Sequence, residues 1–306
     1  MSLREIDLQN EILRLKREKN ALILAHYYQA LAVQDLADFV GDSFQIAKLA
    51  KESASSTVII CGVLFMAESA KILSPGKTIL LPAPDAGCPL ADMVIPEDVL
   101  ALKEAHPKAP VLCYINSSAA VKALADICCT SSTALHIAKN LDAEEIIFIP
   151  DQNLGRYLAR QIPEKRFHLS RGFCPIHHRI TKEQAIKAKA LYPQAPFAAH
   201  PECQLDVLDE ADFIGNTAQI IDFARKTAAR EIIIGTELGV LDLLAREMPE
   251  KKILSVSSSF VCPNMKKTDV RDVHKALTTG QHEITLDPEE RIAARKSLDA
   301  MIALCQ

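Results

Sequence analysis

Short unbroken apolar runs alternate along this chain with longer stretches in which apolar and charged positions follow a helical spacing. Val58-Ile59-Ile60, Ile146-Ile147-Phe148 and Ile232-Ile233-Ile234 are such runs, rich in β-branched residues and bounded by polar or glycine-bearing turns. They predict strands buried on both faces, the condition of a parallel sheet covered by helices. Between Met1 and Asn20, Leu3, Ile6, Leu8, Ile12 and Leu15 are interleaved with charged residues, which predicts an amphipathic surface helix rather than a signal peptide or membrane span.

The pattern repeats. Ala37-Asp38-Phe39 recurs as Ala125-Asp126-Ile127 and as Ala211-Asp212-Phe213, at offsets of 125 − 37 = 88 and 211 − 125 = 86. Each is expected to open a short strand that runs into a helix carrying Ile46-Ala47-Lys48, Ile137-Ala138-Lys139 or Phe223-Ala224-Arg225. Later helices match at Pro96 to His106, Thr181 to Leu191 and Asp269 to Leu277. The expected architecture is three α/β/α lobes with parallel sheets around one axis, at 22–107, 108–193 and 194–282, with helices in 1–21 and 283–306 packed outside.

Three cysteines fit the same repeat. Cys88, Cys174 and Cys262 are each followed by proline, and the gaps are 174 − 88 = 86 and 262 − 174 = 88. Each is predicted to end a run of strand-forming residues, with the proline stopping the strand. Triplication alone would explain the repeat without any shared site. Polar residues at equivalent strand ends favour a shared one, because open parallel sheets bind ligands at their carboxyl ends. His26, Tyr114 and His200 are equivalent, as are Tyr28, Asn116 and Glu202, and Ser43, Ser131 and Thr217.

Composition narrows the chemistry. The 306 residues are 49% hydrophobic and 24% charged, with a net charge of −4 that argues against nucleic-acid binding by bulk positive potential. The nine cysteines suit a reducing cytoplasm. Cys61, Cys113, Cys128, Cys129, Cys203 and Cys305 do not recur at these offsets and are read as small buried hydrophobes. Three thiolates favour zinc or an iron-sulfur cluster; no fourth cysteine recurs to complete a structural zinc site, and three ligands on a four-iron cluster leave one iron for substrate.

Ser43, Ser131 and Thr217 sit where helices begin, as ordinary N-caps or as part of an anion site. His26, Tyr28, Tyr114, His200 and Glu202 are the acid-base candidates, joined by His177. His200 and Glu202, two apart, are expected on one strand and one side of it. Asp151 and Glu237 end the third strands and are read chiefly as helix caps or first-turn acids.

At this point the residues resemble the quinolinate synthase family. The motifs, in order, are Ala25-His26-Tyr27-Tyr28-Gln29, Gly41-Asp42-Ser43, Cys113-Tyr114-Ile115-Asn116-Ser117, Gly172-Phe173-Cys174-Pro175-Ile176-His177, Ala199-His200-Pro201-Glu202-Cys203, Gly235-Thr236-Glu237 and Val261-Cys262-Pro263-Asn264-Met265-Lys266-Lys267-Thr268. They cover nearly the whole chain. The resemblance implies three Rossmann-like lobes and a [4Fe-4S] cluster on Cys88, Cys174 and Cys262 with one iron not ligated by protein. It implies condensation of iminoaspartate with dihydroxyacetone phosphate to quinolinate, with loss of phosphate and two waters and a final dehydration at the open iron.

By position, His26, Ser43, Ser131, His200 and Thr217 would hold anionic groups. Tyr28, Tyr114 and Glu202 would move protons, Asn116 would orient intermediates, and His177 would join the substrate site. L-aspartate oxidase would supply the unstable imine in the cytoplasm, with no nucleic-acid or membrane partner. Asn216 stands where the family pattern has serine, His178 where an acid is frequent, Ser170 where an aromatic is common, and Val256 and Ser259 replace the extra cysteines of longer members. The alternatives are a cluster-dependent (de)hydratase of another small di-acid and a non-catalytic zinc or iron-sulfur sensor.

Overall fold

The computed structural model describes residues 3–305. Its strands form three four-stranded sheets in which every neighbouring pair is parallel. The first holds β1 (Ala21–His26), β2 (Phe39–Gly41), β3 (Thr57–Cys61) and β4 (Thr78–Leu80) in the order β2-β1-β3-β4. The second holds β5 (Val111–Tyr114), β6 (Ile127–Cys129), β7 (Glu145–Ile149) and β8 (Arg166–Leu169) in the order β6-β5-β7-β8. The third holds β9 (Phe197–Ala199), β10 (Phe213–Ile214), β11 (Glu231–Gly235) and β12 (Lys252–Ser255) in the order β10-β9-β11-β12.

Helices flank them. They are α1 (Leu3–Glu18), α2 (Leu31–Gln34), α3 (Ser43–Glu52), α4 (Leu64–Leu73), α5 (Pro96–Ala105), α6 (Ala119–Ala123), α7 (Ala134–Asn140) and α8 (Gln152–Gln161). Then follow α9 (Pro175–His178), α10 (Lys182–Leu191), α11 (Leu205–Leu208), α12 (Thr217–Lys226), α13 (Leu238–Glu247), α14 (Val270–Thr279) and α15 (Pro288–Leu304). The result is three Rossmann-like lobes. In each, the chain leaves the first strand for one edge and returns on the other side, so the topological switch point lies between the first and third strands.

The repeated aspartates have a backbone task. Asp38 Oδ2 accepts the Ile23 N–H at 2.9 Å, Asp126 Oδ2 that of Val111 at 2.7 Å and Asp212 Oδ2 that of Phe197 at 2.8 Å. Each ties the entrance of an edge strand to the start of the central strand beside it. Three lysines recur as well: Lys77, Lys165 and Lys251 donate to the last carbonyls of α3, α7 and α12, groups that a helix end leaves without intrahelical partners.

The helices after the cysteines cross to a neighbour. Lys103 of α5 donates to Leu124 O at 3.0 Å and Lys189 of α10 to Glu210 O at 2.6 Å, both in the following lobe. Among the described residues no sheet follows α14, and its buried Val273, Ala276 and Leu277 pack with Ile12 of α1 and with Ile23 and Ile59 of the first sheet. The end of the repeat thereby returns to its beginning. Helix α15 buries Ala294, Leu298 and Met301 in the apolar core shared by the first two lobes, whereas the third lobe has clusters of its own.

The strands stop short of the cysteines. β12 ends at Ser255, whose hydroxyl donates to Ser257 O at 2.7 Å and turns the chain, so Cys262 and Pro263 lie in a loop. The same holds for Cys88, well past β4, and for Cys174, where Pro175 opens α9 instead of closing a strand. Cys61, Cys113, Cys128, Cys129 and Cys203 are fully buried, as expected, but Cys305 is only half-buried because the chain emerges there from α15. No helix among the described residues is long and apolar enough to cross a membrane.

Candidate active site

Two internal cavities, of about 150 and about 50 Å³, share a wall made of Tyr28, Phe65, Asn116, Glu202 and Met265. Cys88, Cys174, Cys262 and His177 line the larger; His26, Ser43, Tyr114, Ser131, His200 and Thr217 line the smaller. Every site residue expected from the sequence therefore lies on one of them. All three lobes contribute, because the first strands end at His26, Tyr114 and Ala199, beside each switch point.

Glu202 is the hinge of this arrangement. It is 3% exposed; its Oε2 lies 2.9 Å from His177 Nδ1 and 3.4 Å from His200 Nδ1, while Oε1 is buried without a partner. His200 and Glu202 come together as expected but in the turn after β9, not on a strand, since β9 ends at Ala199. Burial works to raise the Glu202 carboxyl, but the hydrogen bond and charge of His177, with His200 and Tyr114, outweigh it and hold the group at about 2.

The imidazoles of His26 and His200 are each pushed down to about 3, chiefly by burial. His26 Nδ1 accepts the Tyr28 N–H at 3.1 Å and His200 Nδ1 that of Glu202 at 3.3 Å. Burial keeps both rings neutral. Burial, then the charge of Glu202, pushes the Tyr28 and Tyr114 hydroxyls well above their ordinary range, so both stay protonated.

One residue joins the two cavities without having been singled out from the sequence. Thr236 Oγ1, fully buried just past β11, lies 2.9 Å from Tyr28 Oη and 3.0 Å from His177 Nε2, and Tyr28 Oη lies 3.0 Å from Thr217 Oγ1. Its place after the third strand, at a switch point and inside Gly235-Thr236-Glu237, was the available signal. A continuous line runs Thr217, Tyr28, Thr236, His177, Glu202.

Two of the three hydroxyls stand one residue inside the caps. Asp42 and Asn216 cap α3 and α12 in reciprocal pairs with Gln45 and Gln219, which leaves Ser43 and Thr217 as first helical residues and ties up the Asn216 amide oxygen. Ser131 lies in the turn before α7. His178 stacks on Phe173 at 4.2 Å, and Ser170 donates to Pro150 O at 2.7 Å.

Asp151 and Glu237 cap α8 and α13, as read from the sequence, and they do more. Asp151 Oδ2 accepts the Cys174 N–H at 2.9 Å and Glu237 Oε1 the Cys262 N–H at 3.1 Å, so each also fixes a cysteine loop. Val63 precedes α4 in their place in the first lobe.

Comparison with known proteins identifies the family. The family described as "Quinolinate synthetase A protein" matches residues 10–303. The chain belongs to this family. A quinolinate synthase of Caldicellulosiruptor saccharolyticus is 50% identical over 297 residues, 97% of this chain and 98% of that protein. Those of Alkaliphilus metalliredigens and Clostridium perfringens are 48% and 47% identical, over 98% and 97% of this chain and 99% and 98% of theirs. Quinolinate synthases are enzymes of NAD biosynthesis, and the site of this family member is one of convergent acid-base groups beside three thiols.

Proposed function

We propose that this protein condenses iminoaspartate with dihydroxyacetone phosphate to quinolinate, releasing phosphate and two waters, with a [4Fe-4S] cluster on Cys88, Cys174 and Cys262. The observation that carries the reading is Glu202, ionised, buried, and placed between the thiol-lined cavity and the polar one with Oε1 unpartnered.

The donor set fits the cluster. Burial pushes all three thiols up, Cys88 to about 12, with the backbone N–H groups of Ala91, His177 and Met265, each three residues on, working against it. A bound cluster would supply the positive charge that the thiolates need there. Among the described residues, the three sulfurs do not all lie within 4.8 Å of one another, so they are not placed to hold one ion between them, and a larger core is the group they could share. When bound, a cluster with one iron free of protein supplies a Lewis acid for the final dehydration.

The chain supplies the rest. His26 and His200 present ring N–H donors to substrate carboxylate or phosphate, together with the hydroxyls of Ser43, Ser131 and Thr217. Glu202 Oε1 takes protons; Tyr28 and Tyr114, held protonated, return them, and Asn116 on the shared wall orients the intermediates. The line through Thr236 and His177 lets a proton pass between the cavities without bulk water.

Iminoaspartate hydrolyses in water, so an aspartate-oxidising enzyme, L-aspartate oxidase, is the functional partner upstream in the cytoplasm. Anaerobically prepared enzyme should form quinolinate from the imine and the triose phosphate. Glu202→Gln should lower kcat by about 10²-fold or more with cluster absorption retained. Cluster-loaded enzyme that makes no quinolinate would sink the assignment; a fully active Glu202→Gln would sink the role of the carboxylate alone.

A further inference from the structure

The far end of the second sheet carries donor side chains that this reaction does not use. Glu145 opens β7 and His168 is the third residue of β8. Glu145 is registered against Arg166, so His168 is its diagonal neighbour on the same face of the sheet. His168 Nε2 lies 2.9 Å from Glu145 Oε2. His106, which ends α5, lays its ring on that of His168 with centroids 3.4 Å apart and planes 17° from parallel.

Three elements thus bring one donor atom each to within 4.8 Å of the others. The ion pair explains Glu145 and His168. It leaves His106 unexplained, since two imidazoles face to face forgo the edge-to-face attraction that aromatic pairs prefer, and the His106 ring has no hydrogen-bond partner among the described residues. Arg166 approaches Glu145 through Oε1, at 3.6 Å, and leaves Oε2 to the histidines. A surface groove of about 770 Å³ runs past His106 and Glu145, so the set can be reached from solvent.

We propose that His106, Glu145 and His168 form a second metal site, separate from the cysteines, that binds a single divalent ion of the zinc class. Two imidazoles and one carboxylate are the donors such an ion takes, and three protein ligands leave a fourth position for water on the groove side. Binding replaces the hydrogen bond between His168 Nε2 and Glu145 Oε2 with bonds from both atoms to the ion and ties the end of α5 to the edge strand β8. The proposal stands independently of the reaction assigned to the cysteine cavity.

Zinc itself is the probe. Cluster-loaded enzyme, its cysteines occupied, is dialysed against micromolar Zn²⁺ and its metals are counted. The wild type should hold one zinc per chain beyond the cluster iron; His106→Ala and His168→Gln should lose it with unchanged iron and circular dichroism. Glu145→Gln, which keeps a hydrogen-bonding group at this position, covers the case in which a histidine variant fails to fold, and it should bind zinc at least tenfold more weakly. A wild type that takes up no stoichiometric zinc, or variants that hold as much as the wild type, would overturn the site.

Discussion

The imidazoles of His26 and His200 are kept neutral by burial far below the ordinary 6.5, and that has a cost in acid. Between pH 6.5 and 3 the unfolded chain binds protons there that the native state refuses, so stability falls as pH falls. The slope is about 1.4 kcal/mol per pH unit for each histidine. Glu202 acts lower down: its depressed carboxyl contributes stability above 4.5 that is lost only as pH falls toward 2. Urea midpoints taken at pH 7.5 and 5.5 should therefore drop for the wild type and drop less for His200→Gln; equal drops would contradict the buried neutral ring. His200 and Glu202 were legible as residues because they follow a strand in a recognisable motif. Thr236 was not, because a lone hydroxyl has no spacing signature and acquires meaning only from Tyr28 and His177, distant in sequence.

Among the elements, the cysteine loops are where sequence reading and structure part. Proline after cysteine suggested strands ending at the thiols, yet the Cys174 and Cys262 loops are set by buried carboxylates, and the first of these also by tight backbone contact. A Cβ on Gly172 would lie 2.5 Å from Pro150 O, a backbone atom that cannot move aside cheaply. Gly172→Ala should displace the Cys174 loop and lower the iron bound after anaerobic reconstitution, while far-UV circular dichroism stays native. Iron content equal to the wild type would show that the loop tolerates the shift. The strands themselves were readable, since β3, β7 and β11 are β-branched runs buried on both faces. So was the recurrence of Ala-Asp at the edge strands, although its cause, a carboxylate holding an N–H near the start of the central strand beside it, needed coordinates.

At the scale of the molecule, the third repeat hands its last helix to the first lobe. Leu277 of α14 is 1% exposed in that contact, whereas Leu191 of α10 is 65% exposed. Leu277→Ala should lose about 2–5 kcal/mol of unfolding free energy through the cavity it leaves, and Leu191→Ala should stay within about 0.5 kcal/mol of the wild type. Similar urea midpoints for the two variants would mean that α14 does not hold the ring closed. The sequence by itself determined the threefold repeat, the parallel strands and the identities of the convergent residues, because periodicity and motif order are local or strictly periodic properties. Tertiary structure alone decided that Glu202 keeps one free oxygen between two cavities, that Thr236 bridges them, and that His106 meets Glu145 and His168. Those facts depend on distances between segments tens to hundreds of residues apart, which only packing fixes.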